Sequence, residues 1–171
     1  TYVGTIADAV NNQTGEKVKY TLETPVDVVN YSVRDIEPEP IPGFELSSDF
    51  NFLCVSQWGP RKNFVDTIKW WVEEFIDKDV GLLVKTNTIN NSISDFNLTS
   101  SQLKNILSKY KDRKCKVHLL HGDLTEGQMA WMYKHEKVKA LINLAHAEGF
   151  GLPMFEAAQA ALPVITIGWS G

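Results

Sequence analysis

The amino-acid sequence predicts an α/β chain: a doubly wound parallel sheet, preceded by a short β-rich segment. Three observations carry this. From Phe50 onward, short apolar runs alternate with longer stretches whose apolar residues recur three and four apart. Parallel strands need helical crossovers, and this alternation is their mark in a sequence. The run Val138–Leu144 leads into Glu148-Gly149-Phe150-Gly151-Leu152-Pro153, a glycine loop closed by a proline suited to the first turn of a helix. Finally, 171 residues with 43% hydrophobic and 22% charged side chains suffice to bury one sheet on both faces.

The composition also excludes several classes. A net charge of −4 offers no basic field for nucleic acid. No apolar run reaches the roughly 20 residues that span a bilayer. Cys54 and Cys115 fall at expected strands and read as buried, reduced thiols. The four histidines have no metal-ligand spacing. The N-terminus, Thr1-Tyr2-Val3-Gly4, carries neither an initiator Met nor a signal-peptide pattern, so the chain reads as cut from a longer protein.

Taken in order, residues 1–45 form a hairpin and linker segment. Tyr2–Val10 and Lys17–Leu22 flank the turn-rich connector 11–16 and predict a β-hairpin, with a helix over Thr5–Val10 as the alternative. Val26–Val33 alternates well enough for a further strand. Glu37-Pro38-Glu39-Pro40-Ile41-Pro42-Gly43 reads as an extended linker.

Residues 46–171 form the α/β domain. Phe52–Ser56 is the first strand. Gly59-Pro60-Arg61-Lys62 is a loop, and Asn63 caps a helix to about Ile76, with Phe64, Ile68, Trp71, Val72 and Phe75 on one face. Val80–Lys85 is the second strand. Thr86–Leu98 reads as a polar loop, and Thr99 with Gln102 has capping-box spacing for a helix ending near Asp112. Lys116–Leu120 is the third strand. Thr125 and Gln128 repeat the capping-box spacing for a helix to about His135. Val138–Leu144 is the fourth strand, followed by the glycine loop and a helix to Leu162. Pro163–Ile167 is the fifth. The sheet is therefore Rossmann-like, and ligands bind such sheets outside the carboxyl ends of the strands. The loops 57–62, 121–126 and 145–151 all leave those ends.

Three clusters there carry chemistry. Arg61-Lys62 reads as a phosphate clamp, against the plainer reading of two solvated charges on a turn. Glu148 with Gly149 and Gly151 stands between a strand and a helix N-terminus, where unpaired backbone N–H groups and the helix dipole receive an anion. Glu156, in the first turns of that helix, can accept from sugar hydroxyls or simply favour the positive helix end.

Glu148 and Glu156, with seven residues between them in Glu-Gly-Phe-Gly-Leu-Pro-Met-Phe-Glu-Ala, resemble the signature of the retaining GT-B glycosyltransferases of family 4, the glycosyl transferases group 1. Supporting matches lie at Val55–Asn63, Lys116–Gly122, residues 127–135 and Ala161-Leu162-Pro163-Val164-Ile165. The resemblance covers about residues 50–171, the family's C-terminal donor-binding domain. It implies catalytic roles for Glu148, facing the donor sugar, and for Lys62, holding the donor's diphosphate. It implies that Gly149, Phe150, Gly151 and Leu152 meet sugar or diphosphate oxygens. Glu156 would accept from the ribose, and Leu124 would line the base pocket.

The resemblance further implies a nucleotide-diphospho-sugar as substrate, no cofactor and no metal. It implies a glycan, lipid or other acceptor reached through an N-terminal domain. It also implies a cytoplasmic protein, with peripheral membrane attachment of the full-length form left open. The chain departs from the pattern at Ser56-Gln57, where the family usually has Gly-Arg, and at Ala145, where it usually has Ser. Arg61 is the candidate replacement for the missing arginine. The family's N-terminal domain, last strand and C-terminal helices are expected outside this chain, so the domain reads as truncated and the isolated fragment as inactive. Surfaces exposed by truncation are candidates for self-association. The alternative is a nucleotide-sugar-binding or assembly module of the same fold without transfer. A dehydrogenase is disfavoured, because no Gly-x-Gly-x-x-Gly follows the first strand.

Overall fold

In the computed structural model the chain is described at residues 5–10, 14–21, 27, 29–32 and 34–169. It divides into two compact units, Thr1–Arg34 and Asp35–Gly171.

In the first unit β1 (Thr5–Val10) and β2 (Lys17–Thr21) pair antiparallel, from Thr5 opposite Thr21 to Val10 opposite Lys17. Thr5–Val10 is thus strand, not helix. Residues 1–4, 11–13 and 22 of the expected hairpin lie outside the described residues. The strand expected over Val26–Val33 is not formed where the chain is described: residues 27 and 29–32 are irregular, and Val29 is 92% exposed. Alternation alone makes no strand when no neighbouring strand pairs with it. Positions 26, 28 and 33 lie outside the described residues.

The second unit begins with residues that composition grouped with the linker. Glu39 N–H donates to Gly127 O at 3.0 Å, and Ile41 and Phe44 pack against a core cluster of this unit. The alternating prolines give an extended path, and apolar side chains fasten it to the domain.

The sheet has five strands, all parallel: β3 (Asn51–Val55), β4 (Gly81–Lys85), β5 (Lys116–Leu120), β6 (Val138–Asn143) and β7 (Val164–Thr166), in the spatial order β5-β4-β3-β6-β7. Between them run α1 (Phe64–Glu74), α2 (Ile93–Leu107), α3 (Glu126–Lys134) and α4 (Leu152–Gln159). Successive strand residues point to opposite faces. Phe52 and Cys54 join Phe64, Ile68, Trp71, Val72, Leu103 and Ile106 in one core cluster, under α1 and α2. Leu53 joins Leu83, Met132, Tyr133, Leu141 and Ala157 in the other, under α3 and α4. Burial on both faces is why the central strands β3, β4 and β6 read as nearly continuous apolar runs.

Two helix starts differ from expectation. Asn63 is the residue before α1, but it sits in the left-handed region (φ 51°) and its side chain makes no cap bond; its amide donates to Leu144 O instead, at 3.1 Å. Helix α2 begins six residues before Thr99. Ser92 is its cap, accepting from Asp95 N–H at 3.2 Å. Thr99 is fully buried inside the helix and meets the Thr88 hydroxyl at 2.9 Å. Ser92-x-x-Asp95 is itself a capping spacing, and it wins because Asp95 also receives the N–H groups of Thr88 and Ile89, at 3.0 and 2.9 Å. The capping box at Thr125 and Gln128 forms as expected. Both cysteines are free and buried, and burial pushes the Cys54 thiol up to about 12.

Candidate functional site

Strand β3 sends the chain to α1 on one face of the sheet, and its neighbour β6 sends it to α4 on the other. At such a reversal the two outgoing loops part and leave a crevice at the carboxyl ends of the strands. The loop after β3 carries Arg61 and Lys62 in a short 3-10 turn, Pro60–Lys62. The loop after β6 carries Glu148.

The two loops meet across 86 residues of chain. Lys62 Nζ lies 2.6 Å from both carboxylate oxygens of Glu148. The Arg61 guanidinium donates to Ala147 O at 2.6 Å and stands 3.7 Å from Glu148 Oε2. His146 N–H donates to Arg61 O at 2.9 Å, and the Trp169 indole, beyond β7, donates to His146 O at 3.2 Å. The Asn63 bond to Leu144 completes the lacing, with Lys62 as the residue next to it.

Glu148 is nearly covered, its side chain 9% exposed. Burial opposes its ionisation. The hydrogen bonds from Lys62 and Asn143, with the charges of Lys62 and Arg61, outweigh that and hold the carboxyl below its usual range. The Asn143 amide donates to Glu148 Oε1 at 3.2 Å.

Glycine loop and helix follow directly. Gly151 precedes α4 at φ +77°, and a Cβ there would run into the Met154 methyl. The left-handed backbone is what calls for glycine there, since the Met154 methyl, at the end of a flexible side chain, can swing aside. Gly151 O accepts from Met154 and Phe155 N–H, at 2.9 and 3.1 Å. Gly149 and the Phe150 and Leu152 side chains are exposed beside this helix start. Glu156 lies one turn in, and its Oε2 accepts from the Tyr133 hydroxyl at 3.0 Å. Burial, with the charge and hydrogen bond of Glu156, pushes the Tyr133 phenol far up, so Tyr133 remains a donor.

Two further candidates have partners of their own. The Gln57 amide donates to Thr88 O at 3.1 Å, which joins the loop after β3 to the loop after β4. Leu124 packs against the core cluster under α3 and α4. The loop that precedes it is pinned by Lys85, which donates to Gly122 O at 2.6 Å, and by a hydrogen bond between Asn91 and Asp123.

Sequence reasoning missed Asn143, the bridging role of Asn63, the Tyr133–Glu156 bond, and a buried pair, His121 with Asp95 at 2.8 Å. A polar residue ending an apolar strand was the available signal for Asn143. A cavity of about 490 Å³ also opens at this edge, toward α1 and α2, bounded by Trp58, Asn63, Thr88, Gln102 and His146. Among the described residues, no group of three or more His, Cys, Asp or Glu converges to hold a metal ion, and no helix is long and apolar enough to cross a membrane.

The buried carboxylates predict an acid-side loss of stability. Burial raises the Asp95 carboxyl, but hydrogen bonds from His121 and the Thr88 and Ile89 amides outweigh this and leave it below its ordinary 3.8. Glu148 is likewise below its ordinary 4.5. A carboxyl lowered on folding stabilises the fold above its ordinary value and ceases to do so as pH falls through the folded one. His118, lowered from 6.5 first by burial and then by Lys116, acts in the same direction from a higher pH, because the unfolded chain takes the proton first. Urea unfolding is therefore expected to give a stability that declines below pH 6.5 and more steeply below 4.5. Asp95→Asn is expected to flatten the lower part; an unchanged slope there would remove Asp95 as a source.

No family model matches the chain, and no curated protein matches it in sequence. Solved structures do match. A structure described as trehalose-6-phosphate from E. coli bound with UDP-2-fluoro glucose is 12% identical, with a TM-score of 0.50 over 68% of this chain and 28% of its own. An apo structure of OtsA is 14% identical, with a TM-score of 0.50 over 71% of this chain and 29% of its own. The C-terminal domain of a glycosyl transferase group 1 family protein, LpcC from Francisella tularensis, is 14% identical, with a TM-score of 0.48 over 70% of this chain and 58% of its own. The chain thus spans under a third of the first two structures and about three-fifths of the third. It shares with the first two a fold, the five-stranded parallel α/β sheet whose carboxyl edge holds Lys62 and Glu148.

Proposed function

We propose that the chain is the donor-binding part of a retaining glycosyltransferase of the GT-B type, family 4, that takes a nucleotide-diphospho-sugar. The observation that carries this is the meeting of Lys62 and Glu148 in the crevice between β3 and β6, beside the N-terminus of α4. A cation and a helix N-terminus at one point suit a diphosphate, and a carboxylate beside them suits sugar hydroxyls. The fold shared with a structure bound to UDP-2-fluoro glucose supports the same donor class.

In this reading Lys62, Arg61 and the amides at Phe150, Gly151 and Leu152 hold the diphosphate and offset the charge that grows on it as it leaves. Glu148 orients the sugar, and Glu156 faces the ribose. The acceptor hydroxyl attacks from the face the diphosphate leaves, so the anomeric configuration is kept. The acceptor is held by a part of the protein outside this chain.

The test is a titration of the chain with UDP-, GDP- and ADP-sugars, followed by backbone amide NMR. One of the three is expected to move signals at 57–63, 145–152 and 156. Silence with all three would overturn the reading. In the full-length protein, NMR of the product's anomeric proton then tests retention.

A second reading, a binding or assembly module without transfer, is favoured by two observations: Gln57 stands where the family usually has arginine, and Glu156 is engaged by Tyr133. Donor binding without turnover in the full-length protein would select it.

A further inference from the structure

A glutamate side chain is long, and it loses much rotamer freedom when it is fixed. A ligand that must do the fixing binds more weakly than one that finds the side chain already held. Glu156 is half-buried, one turn into α4. Its Oε2 accepts from the Tyr133 hydroxyl at 3.0 Å, and among the described residues its Oε1 makes no hydrogen bond.

Tyr133 is itself firmly seated. It lies near the end of α3, 4% exposed, in the core cluster with Leu53, Leu83, Met132, Leu141 and Ala157. Ala157 follows Glu156 in α4, so the cluster that grips the ring also seats the helix that carries the carboxylate. A phenol this deep needs a partner for its O–H, and Glu156 is that partner. Burial, then the charge and hydrogen bond of Glu156, keep the proton on the phenol. Tyr133 therefore donates and Glu156 accepts.

We infer that Tyr133 is a positioning residue that makes the site select ribonucleotides: by holding Oε2 it steadies the Glu156 carboxylate and leaves Oε1 for a ribose hydroxyl, a role that rests on the donor-site reading above. The role is the same whether the bound donor is turned over or only held. A bond that merely fastened α3 to α4 would have no bearing on ribose, and one that competed with ribose would weaken its binding.

The probes are UDP, GDP and ADP, each beside its dideoxy counterpart, which lacks both ribose hydroxyls. Inorganic pyrophosphate is the ligand without a ribose. In calorimetry on the chain, the ribose form of at least one nucleotide is expected to bind about tenfold or more tightly than its dideoxy counterpart, the effect of hydrogen bonds to a charged group. Tyr133→Phe keeps the ring and removes the hydroxyl. It is expected to reduce that preference by about 3- to 10-fold, because the ribose must then order the carboxylate itself. Pyrophosphate is expected to bind wild type and variant alike, since it has no group for Glu156.

A ribose preference that is unchanged or larger in Tyr133→Phe would overturn the inference. So would a loss of pyrophosphate binding as large as the loss of nucleotide binding, the mark of a general loosening. A second measurement needs no variant. In wild type the Tyr133 Cζ NMR signal is expected to move more with the ribose form than with the dideoxy form, because a hydroxyl on Oε1 changes what Oε2 offers Tyr133. Equal responses would sink the idea even if Tyr133→Phe folds poorly. If pyrophosphate binds and no nucleotide shows a ribose preference, the inference fails and the phosphate site at Lys62 stands. If neither pyrophosphate nor any of the three nucleotides binds, the donor-site reading itself fails, and this inference fails with it.

Discussion

Under the proposed donor-site reading, Lys62→Met is expected to weaken nucleotide-diphospho-sugar binding by roughly 10- to 150-fold, the equivalent of about 1.5–3 kcal/mol for a hydrogen bond to a charged group. Methionine keeps the length and the apolar stem of lysine and removes only the ammonium. The loss is therefore electrostatic. The diphosphate loses its cation; the bond to Glu148 at 2.6 Å is made in the donor-free protein, so its loss does not add to the effect on Kd. Arg61 can recover part of the effect, since its guanidinium already stands 3.7 Å from the same carboxylate. Calorimetry on the isolated chain reads the change in Kd. An unchanged Kd would remove Lys62 from the site and leave the pair as a fastening between two loops. Adding Arg61→Gln to Lys62→Met is expected to take away what remains, which measures how much of the binding Arg61 carries.

Phe64→Ala is expected to cost about 3–5 kcal/mol, the usual range for truncating a buried phenylalanine. Folded domains of this size are stable by only about 5–15 kcal/mol. Phe64 is 2% exposed, the first residue of α1, and part of the core cluster under α1 and α2. Its ring also meets Trp58, with centroids 5.0 Å apart. Trp58 belongs to the loop after β3, so Phe64 holds both the helix start and the loop that carries Lys62. Urea unfolding should show the loss, while Phe64→Leu should keep most of the stability. A cost below about 1 kcal/mol in Phe64→Ala, well under the usual range, would mean that α1 is seated by Ile68, Trp71 and Val72 alone.

The sheet was legible because strands buried on both faces leave apolar runs, and because α1, the first crossover, kept a clear apolar period. The start of α2 was not. Two capping spacings compete there, and Ile93, Phe96 and Leu98 are 81%, 44% and 42% exposed, which blurs the apolar stripe. The strand expected over Val26–Val33 is missing at the described residues 27 and 29–32 for a different reason. Alternation records a side-chain pattern, whereas a strand also needs a neighbour.

At the site, Arg61, Lys62 and Glu148 could be placed at one edge from the sequence, since all leave strand carboxyl ends. Their contact could not, because it depends on β3 lying next to β6, and chain order does not say so. Asn143 was hidden inside the run Val138–Leu144, where one polar residue reads as noise. Tyr133 was hidden because its bond to Glu156 joins two helices that only packing brings together. For Gln57 and Leu124, a place in a motif did not reveal their partners in the fold, Thr88 O and the core cluster under α3 and α4.

The bonds of Lys62 to Glu148, Arg61 to Ala147 and Asn63 to Leu144 join residues 81 to 86 positions apart. Every one spans the helices and strands from α1 to β6. Closing a chain segment of that length is entropically costly, and contacts so distant in sequence contribute only after the elements between them are in place. The edge where Lys62 meets Glu148 therefore assembles late, when β6 docks beside β3, and a folding intermediate limited to β3, β4 and β5 lacks the proposed site. A reporter on the Lys62–Glu148 contact would time the completion of the sheet, and any nascent chain that ends before β6 would carry its cation unanswered.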